Sequence, residues 1–171
     1  MAAGPTGSRM DHLWAPWRST YIKEKKERVG CVFCRAAAST QDEDTLVVYR
    51  GRLNFVILNR YPYTSGHLMI APYQHVSRLQ QADDETAEEM MRLVRLAERL
   101  LEESYQPQGI NLGMNLGEAA GAGIEQHIHM HVLPRWFGDA NFMTSVSHTR
   151  IIPEELSVTW SKLSQAFKTA K

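Results

Sequence analysis

The sequence has little of several features that mark specialised protein classes. No apolar run approaches the ~18 residues of a membrane-spanning helix, and the 171 residues include only two cysteines, too few for a disulfide framework. Basic and acidic side chains balance at 19 each, so the basic excess of proteins that coat DNA or RNA is missing. With 43% hydrophobic and 22% charged residues, the composition is that of a globular domain. We therefore expect a cytoplasmic protein whose partners include neither a membrane nor a nucleic-acid polymer.

The length suits one domain. At roughly 100–200 residues per domain, the chain is expected to form a single domain over residues 31–171, preceded by an N-terminal arm over residues 1–30. The opening segment, MAAGPTGSRM, is too polar for a secretory signal, and residues 1–9 are a candidate tag remnant. The cysteines are therefore expected in a reducing compartment.

Four short apolar runs predict strands, at residues 46–49, 53–58, 67–71 and 110–116. Each is bounded by polar or turn-forming residues. A short connection separates the second run from the third, which favours an antiparallel pair.

Two helices follow from a different periodicity. Between residues 83 and 105 apolar side chains recur at three- and four-residue steps, and Asp83 or Asp84 can cap the N-terminus. Pro153 suits the first turn of a C-terminal helix that runs to about Phe167. Together, the elements predict an α+β fold: a mainly antiparallel sheet with one long helix and a C-terminal helix.

The most informative segment lies at residues 126–134. Three histidines, His127, His129 and His131, alternate there with Ile128, Met130 and Val132. A period of two is typical of a strand, so we expect the imidazoles on one face, about 6.6 Å apart, and the apolar side chains in the core. The glycine-rich loop at residues 117–123 can bring backbone N–H groups to an anion. Loop and histidines together predict a site for phosphate chemistry.

Three interpretations of the histidine row are open. It is a polar strand face, or it binds one metal ion that activates water, or its middle imidazole, His129, is a nucleophile that attacks phosphorus and later leaves. In the third case the neighbouring imidazoles hold its tautomer and stabilise developing charge. Spacing alone does not separate the second interpretation from the third.

Cys31 and Cys34 form a C-x-x-C pair, which is half of a zinc site, a redox pair or ordinary packing. A redox pair commonly opens a helix after a strand, whereas this pair follows a charged stretch and Gly30. A zinc site needs two more ligands, which the histidines can supply.

Beyond these patterns, residues 127–133 resemble the motif His-φ-His-φ-His-φ-φ, with φ an apolar residue, of the histidine triad family of nucleotide hydrolases and transferases. The resemblance continues in family order through residues 31–34, Asn59-Arg60, residues 66–72, His75, and Asn115 with Gly117. It covers most of residues 31–135 and implies the family's fold. Residues 14–18 and 134–142 are similar to the family's bacterial diadenosine tetraphosphate phosphorylases.

The resemblance implies a role for each matched residue. It implies that His129 attacks the α-phosphorus of a nucleotide, that His131 contacts the phosphate oxygens, and that His127 orients His129 or binds metal. Asn115 matches an asparagine beside the phosphate, and Asn59 matches the residue that holds the ribose hydroxyls. The remaining implied substrate contacts are Val32, Phe33 and Leu58 at the base, for which ordinary core packing is the alternative, and Gly121, Gly123 and Gln126 near the phosphates.

Zinc-containing relatives imply one structural Zn²⁺ and no organic cofactor. The implied ligands are Cys31, Cys34, His75 and His127, a closed set of four sulfur and nitrogen donors that does not include His129. One departure concerns the segment before the triad, where many members carry Gln-Ser or Gln-Thr and this chain has Gly-Ile-Glu-Gln at residues 123–126. The open glycine loop favours inorganic phosphate as the acceptor.

The resemblance thus predicts a nucleotidyl transferase that converts diadenosine tetraphosphate and inorganic phosphate to ATP and ADP through adenylyl-His129. The alternatives are a hydrolase of dinucleoside polyphosphates or nucleoside phosphoramidates, and a non-catalytic nucleotide-binding module. Family members are usually dimers, so we expect a homodimer or homotetramer, with the helix at residues 83–105 as a candidate interface.

Overall fold

The computed structural model describes residues 30–139 and 154–170. The expected N-terminal arm (apart from Gly30), the end of the similarity at residues 140–142, and Pro153 as a helix start lie outside these residues. None of the described helices combines the length and apolar character required to cross a bilayer.

A five-stranded sheet organises the described chain. Its strands are β1 (Val47–Arg50), β2 (Asn54–Leu58), β3 (Leu68–Pro72), β4 (Gly109–Gly113) and β5 (Met130–Arg135). The spatial order is β1-β2-β3-β5-β4, and each neighbouring pair is antiparallel. The α+β class and the antiparallel pairing of the second and third predicted strands are therefore confirmed.

Within the described residues, four α-helices accompany the sheet: α1 (Val32–Ala38), α2 (Asp42–Thr45), α3 (Asp84–Tyr105) and α4 (Leu156–Thr169). The side chain of Asp83 accepts a hydrogen bond from the Thr86 N–H, which satisfies one of the unpaired donors at the start of α3. The repeat of α3 buries Met90, Val94, Ala97 and Leu101 but leaves Met91 49% exposed. The long helix is thus an amphipathic cover for the sheet.

Two charged side chains connect helices to strands through hydrogen bonds. The carboxylate of Glu89, on α3, accepts hydrogen bonds from the backbone N–H groups of Arg52, Leu53 and Asn54 in the β1–β2 turn. Arg50, at the end of β1, donates to the carbonyl oxygens of Ala36, Ala37 and Ser39 at the C-terminus of α1 and to the carboxylate of Asp42. Backbone groups that helix and turn leave unpaired are satisfied in this way.

The strand that carries the triad motif is shorter than the period-two pattern predicts. β5 begins at Met130, so His127 and His129 lie before it, although Ile128 and Val132 are buried in the core as expected. The N–H of Ile128 bonds to the carbonyl oxygen of Val76 instead of joining a strand ladder. The segment leaves the sheet there, and this lets successive histidines serve different sites.

Candidate active site

A cavity of about 860 Å³ opens beside the histidine row, in the upper part of the range for small-molecule sites. Nine of the residues implied for catalysis or substrate binding line it: Val32, Phe33, Leu58, Asn59, Asn115, Gly121, Gly123, His129 and His131. Two implied residues do not. Gln126 lines a second, shallower depression together with His75, and His127 lies behind the cavity wall.

The ring of His129 is held by a hydrogen bond to the chain before it. Its Nδ1 lies 2.9 Å from the carbonyl oxygen of His127, and since a carbonyl only accepts, Nδ1 carries the proton. Nε2 therefore has the lone pair. The ring packs against Phe33 with centroids 4.8 Å apart and is 4% exposed. This neutral, oriented imidazole has the form that a nucleophile requires.

His131 has its proton on Nε2, the reverse of His129, because two successive hydrogen bonds fix it there. The backbone N–H of Tyr63 donates to Nδ1 of His67, so the proton of that ring sits on Nε2. Nε2 of His67 lies 2.9 Å from Nδ1 of His131 and donates to it, which leaves the His131 proton on Nε2. One triad imidazole thus offers a lone pair and the next an N–H donor.

Burial keeps these imidazoles neutral. It lowers the pKa of His129, and it lowers the pKa of His131 to about 4, with the neighbouring His129 adding to the effect. The pKa of His67 is lowered to about 3 by burial and by the two triad rings. Near pH 7, His67, His129 and His131 are therefore neutral donors and acceptors.

The glycine loop does not provide the row of free backbone amides that its composition suggests. A 3₁₀ turn at Glu118–Ala120 and its flanks use the N–H groups of Ala120, Gly121 and Ala122 for bonds within the loop. The loop is held instead at its edge, where the side chain of Asn115 donates to the carbonyl oxygen of Gly121. Gly121 has a φ of +86°, which favours glycine. The loop thus shapes the cavity wall.

Sequence reasoning missed several lining residues, among them Arg35, Asp44, Arg60, Tyr63 and Glu118. Arg35 lies on α1, a helix that no sequence pattern predicted. Arg60 directly follows Asn59, and that adjacency was the available signal. For His67, in the Gly-His strand, the sequence leaves two interpretations, a hydrogen-bond partner of a site residue or a satisfied interior histidine, and the 2.9 Å contact with His131 supports the first.

Behind the cavity, two thiols and two imidazoles converge. The ligand atoms of Cys31, Cys34, His75 and His127 all lie within 4.8 Å of one another, with Cys34 Sγ 3.1 Å from His75 Nδ1 and Cys31 Sγ 3.3 Å from His127 Nδ1. In a tetrahedral zinc site, bonds of about 2.3 Å to sulfur and 2.0–2.1 Å to nitrogen put ligand atoms roughly 3.3–3.8 Å apart. The four side chains fit a metal ion.

The position of the cysteines differs from the sequence-based reasoning, because the pair does open a helix. Cys31 is the N-cap of α1 and Cys34 lies in its first turn. Both thiols are free. Their neighbours are imidazoles, and this favours metal binding over a redox pair.

The electrostatics of the thiols also suit a cation. Burial raises the pKa of a thiol, but at Cys31 the His127 imidazole and the backbone N–H groups of Cys34 and Phe33 outweigh it and lower the pKa to about 6. Burial and the adjacent Cys31 raise the pKa of Cys34. His127 Nε2 donates to the carbonyl oxygen of Pro72, so in the neutral ring a lone pair on Nδ1 faces the sulfurs. A metal cation satisfies all three groups.

Comparisons with known proteins agree with this geometry. The family model described as the HIT domain matches residues 40–138. The AP-4-A phosphorylase of Mycobacterium tuberculosis is 39% identical over 155 residues, which cover 86% of this chain and 80% of that protein. A crystal structure of a Zn-bound histidine triad family protein from Mycobacterium smegmatis superposes with a TM-score of 0.62 at 29% identity, covering 83% of this chain and 98% of that one. A HIT family protein from Bacillus subtilis gives 0.57 at 27% identity, covering 84% and 98%. The chain belongs to the HIT domain family.

Proposed function

We propose that this HIT-family chain is a nucleotidyl transferase that cleaves diadenosine tetraphosphate with inorganic phosphate, giving ATP and ADP through an adenylyl group carried on His129. One observation carries the proposal. The Nδ1–H of His129 is tied to the carbonyl oxygen of His127 at 2.9 Å, so its Nε2 lone pair is available beside a cavity of nucleotide size. The similarity to the AP-4-A phosphorylase supports the choice of substrate.

In the first step Nε2 of His129 attacks the α-phosphorus. A P–N bond forms, the bridging P–O bond to the β-phosphate breaks, and ATP leaves. The ring becomes cationic, and the carbonyl oxygen of His127, already bonded to Nδ1–H, stabilises that charge. The Nε2–H of His131 donates to a phosphate oxygen as negative charge develops there. In the second step an oxygen of inorganic phosphate attacks, the P–N bond breaks, and ADP leaves with His129 restored.

The other implied contacts complete the proposed substrate site. Val32, Phe33 and Leu58 form an apolar wall for the adenine base, and Asn59, at the end of β2, holds the ribose hydroxyls. Asn115, Gly121 and Gly123 border the phosphates. Gln126 is left out, because the structure puts it in the other depression.

Zinc is the metal we propose for the cluster of Cys31, Cys34, His75 and His127. When bound it supplies a structural dication, and four protein ligands leave no position for a reactive water. His127 then has two functions: its imidazole is a ligand and its carbonyl orients His129.

Product analysis tests the proposed reaction. With diadenosine tetraphosphate, we expect ATP and ADP only when phosphate is present. Equal consumption without phosphate, with AMP in place of ADP, would instead identify a hydrolase. Turnover without any phosphate dependence and without a protein-bound adenylyl group would contradict the covalent route.

Replacing His129 tests the nucleophile. His129→Ala should lower turnover by roughly 10⁴-fold or more and abolish the mass gain of one AMP unit seen for the wild-type chain under denaturing conditions. AMP binding should stay within a few-fold, since the base wall is intact. A non-catalytic binding module would show no adduct in either protein.

A further inference from the structure

The segment between β2 and β3 borders the cavity on the side of His131. It brings Arg60 and Tyr63 to the cavity lining, and neither residue belongs to the base wall or to the triad. In the second half of the proposed substrate, the contacts described above provide no cation for the phosphate chain and no surface for the other adenosine.

Arg60 has the chemistry of a phosphate ligand. One nitrogen, Nη2, donates to the carbonyl oxygen of Asp44 at 3.2 Å, which holds the guanidinium at the cavity edge. The remaining N–H groups of the fork are not engaged by any carboxylate among residues 30–139 and 154–170. A planar guanidinium with several donors binds phosphate oxygens well.

Positive and negative side chains are equal in number around the cavity, so phosphate binding there depends on where each cation lies. Two lining arginines, Arg35 and Arg60, stand against two lining acids, Asp44 and Glu118. The cavity as a whole therefore has no excess of positive charge. Binding a tetraphosphate requires a cation at the right place, and Arg60 directly follows the proposed ribose ligand Asn59.

Tyr63 supplies an aromatic surface next to the reacting groups. Its ring lies 6.4 Å from that of His131 with an interplanar angle of 30°, and 4.9 Å from that of His67. The residue is 40% exposed, and its backbone N–H is fixed on His67. A tyrosine held in this way can stack on a purine.

We propose that Arg60 and Tyr63 form the subsite for the departing nucleotide: Arg60 binds the phosphate chain beyond the reacting phosphorus, and Tyr63 stacks on the second adenine. This inference rests on the proposed function, and it makes the segment after β2 the determinant of chain-length preference. Substrates that lack the distal half gain nothing from these two residues.

Equilibrium binding to His129→Ala protein separates the contributions with three ligands: AMP, adenosine tetraphosphate and diadenosine tetraphosphate. Adding Arg60→Gln should weaken both tetraphosphates roughly 10- to 100-fold, as expected for a charged hydrogen bond, and leave AMP within twofold. Adding Tyr63→Leu should remove the advantage of diadenosine tetraphosphate over adenosine tetraphosphate, with AMP unchanged. Arg52→Gln, at an exposed arginine in the β1–β2 turn that does not line the cavity, is the matched control and should change none of the three.

Two results would overturn the subsite. One is equal weakening of AMP and the tetraphosphates in Arg60→Gln, and the other is no weakening of either. Failure of the proposed function has a different signature: the wild-type chain binds the ligands with the expected pattern but forms no ADP from phosphate.

Discussion

At the scale of single residues, hydrogen-bond partners set the tautomers of the two cavity-facing triad histidines. His129 is fixed by a backbone carbonyl and His131 by another imidazole. A backbone carbonyl accepts hydrogen bonds at any pH, so the position of the proton on Nδ1 of His129 does not depend on the protonation of a neighbour. The position of the His131 proton depends on His67 keeping its own tautomer, which the Tyr63 N–H imposes.

We predict that the His131 ring stays neutral to unusually low pH. Its pKa is lowered to about 4, and that of His129 lies below the ordinary 6.5, so NMR titration should show no protonation of His131 between pH 8 and 5.5 and a midpoint below 6.5 for His129. Because the unfolded chain binds these protons at higher pH, the free energy of unfolding should fall as pH drops from about 6.5 toward 4. A ring that titrates at 6.5 in the folded protein would contradict the burial argument.

Replacing His67 tests the donor chain. His67→Leu removes the proton given to His131 Nδ1, so His131 can lose the tautomer that donates into the cavity. We expect kcat to fall roughly 10- to 100-fold while KM changes little, since His67 does not line the cavity. His67→Gln, whose amide N–H can replace the donor, should recover part of the loss. A purely structural role would lower the melting temperature without this difference between Leu and Gln.

At the scale of elements, the seven-residue helix α1 contributes to both the metal cluster and the cavity. It carries Cys31 at its N-cap, Phe33 under the triad, and Val32 and Arg35 in the cavity lining. Arg50 satisfies its C-terminal carbonyls from β1. The position of the helix therefore decides both the metal cluster and one cavity wall.

Removing the Arg50 clamp should destabilise the fold. Arg50→Met leaves carbonyl oxygens of α1 and the carboxylate of Asp42 without their donor, at a cost of about 2–3 kcal/mol. Urea unfolding measures this. Arg92→Met, which breaks an exposed ion pair with Glu88 on α3, should cost about 0.5 kcal/mol or less. Equal effects would show that the clamp adds nothing beyond surface charge.

Zinc binding should raise the free energy of unfolding. We expect one Zn²⁺ per chain and an unfolding free energy that rises by about 1.4 kcal/mol for each tenfold increase in free zinc above the dissociation constant. Chelation should also weaken AMP binding, because Phe33 and Val32 follow the ligand Cys31. Cys34→Ser should abolish the zinc dependence, and magnesium should not replace zinc. A stability curve insensitive to zinc would contradict the metal assignment.

The elements also show how far sequence reasoning reaches. Strands β2 and β3 and helix α3 were predictable, because long-range packing reinforces their local patterns. Helix α1 was not: seven residues give too few turns for a periodic signal, and the helix is held by residues distant in the sequence, through the Arg50 bonds and the core contacts of Phe33. The histidine segment predicted the right faces but not the start of β5, since the bond from Ile128 to Val76 lies outside any local pattern.

At the scale of the whole molecule, the two outer strands of the sheet differ. At β1, the indole N–H of Trp160 on α4 donates to the carbonyl oxygen of Val47, which covers part of that edge. At β4, no described element pairs with the outer side, and Leu112 is 47% exposed. An uncovered edge strand invites pairing with another chain.

We therefore predict a homodimer that uses the β4 edge together with the exposed side of α3, where Met91 lies. Leu112→Glu should convert the dimer to a monomer, because a buried charge without a partner is costly, and light scattering after size exclusion should show the mass halved. Val158→Glu, at an equally exposed apolar residue on α4, should leave the dimer intact. A wild-type monomer at micromolar concentration would contradict this arrangement.

His127 joins two sites through different parts of one residue. The imidazole belongs to the metal cluster, but the oxygen that orients His129 is main chain and would be present whatever side chain stood at position 127. A descendant lineage could therefore lose the cysteines and the first histidine one after another and still keep a correctly aimed nucleophile. The orientation of the nucleophile can thus persist when the metal cluster is lost, although both depend on a single position.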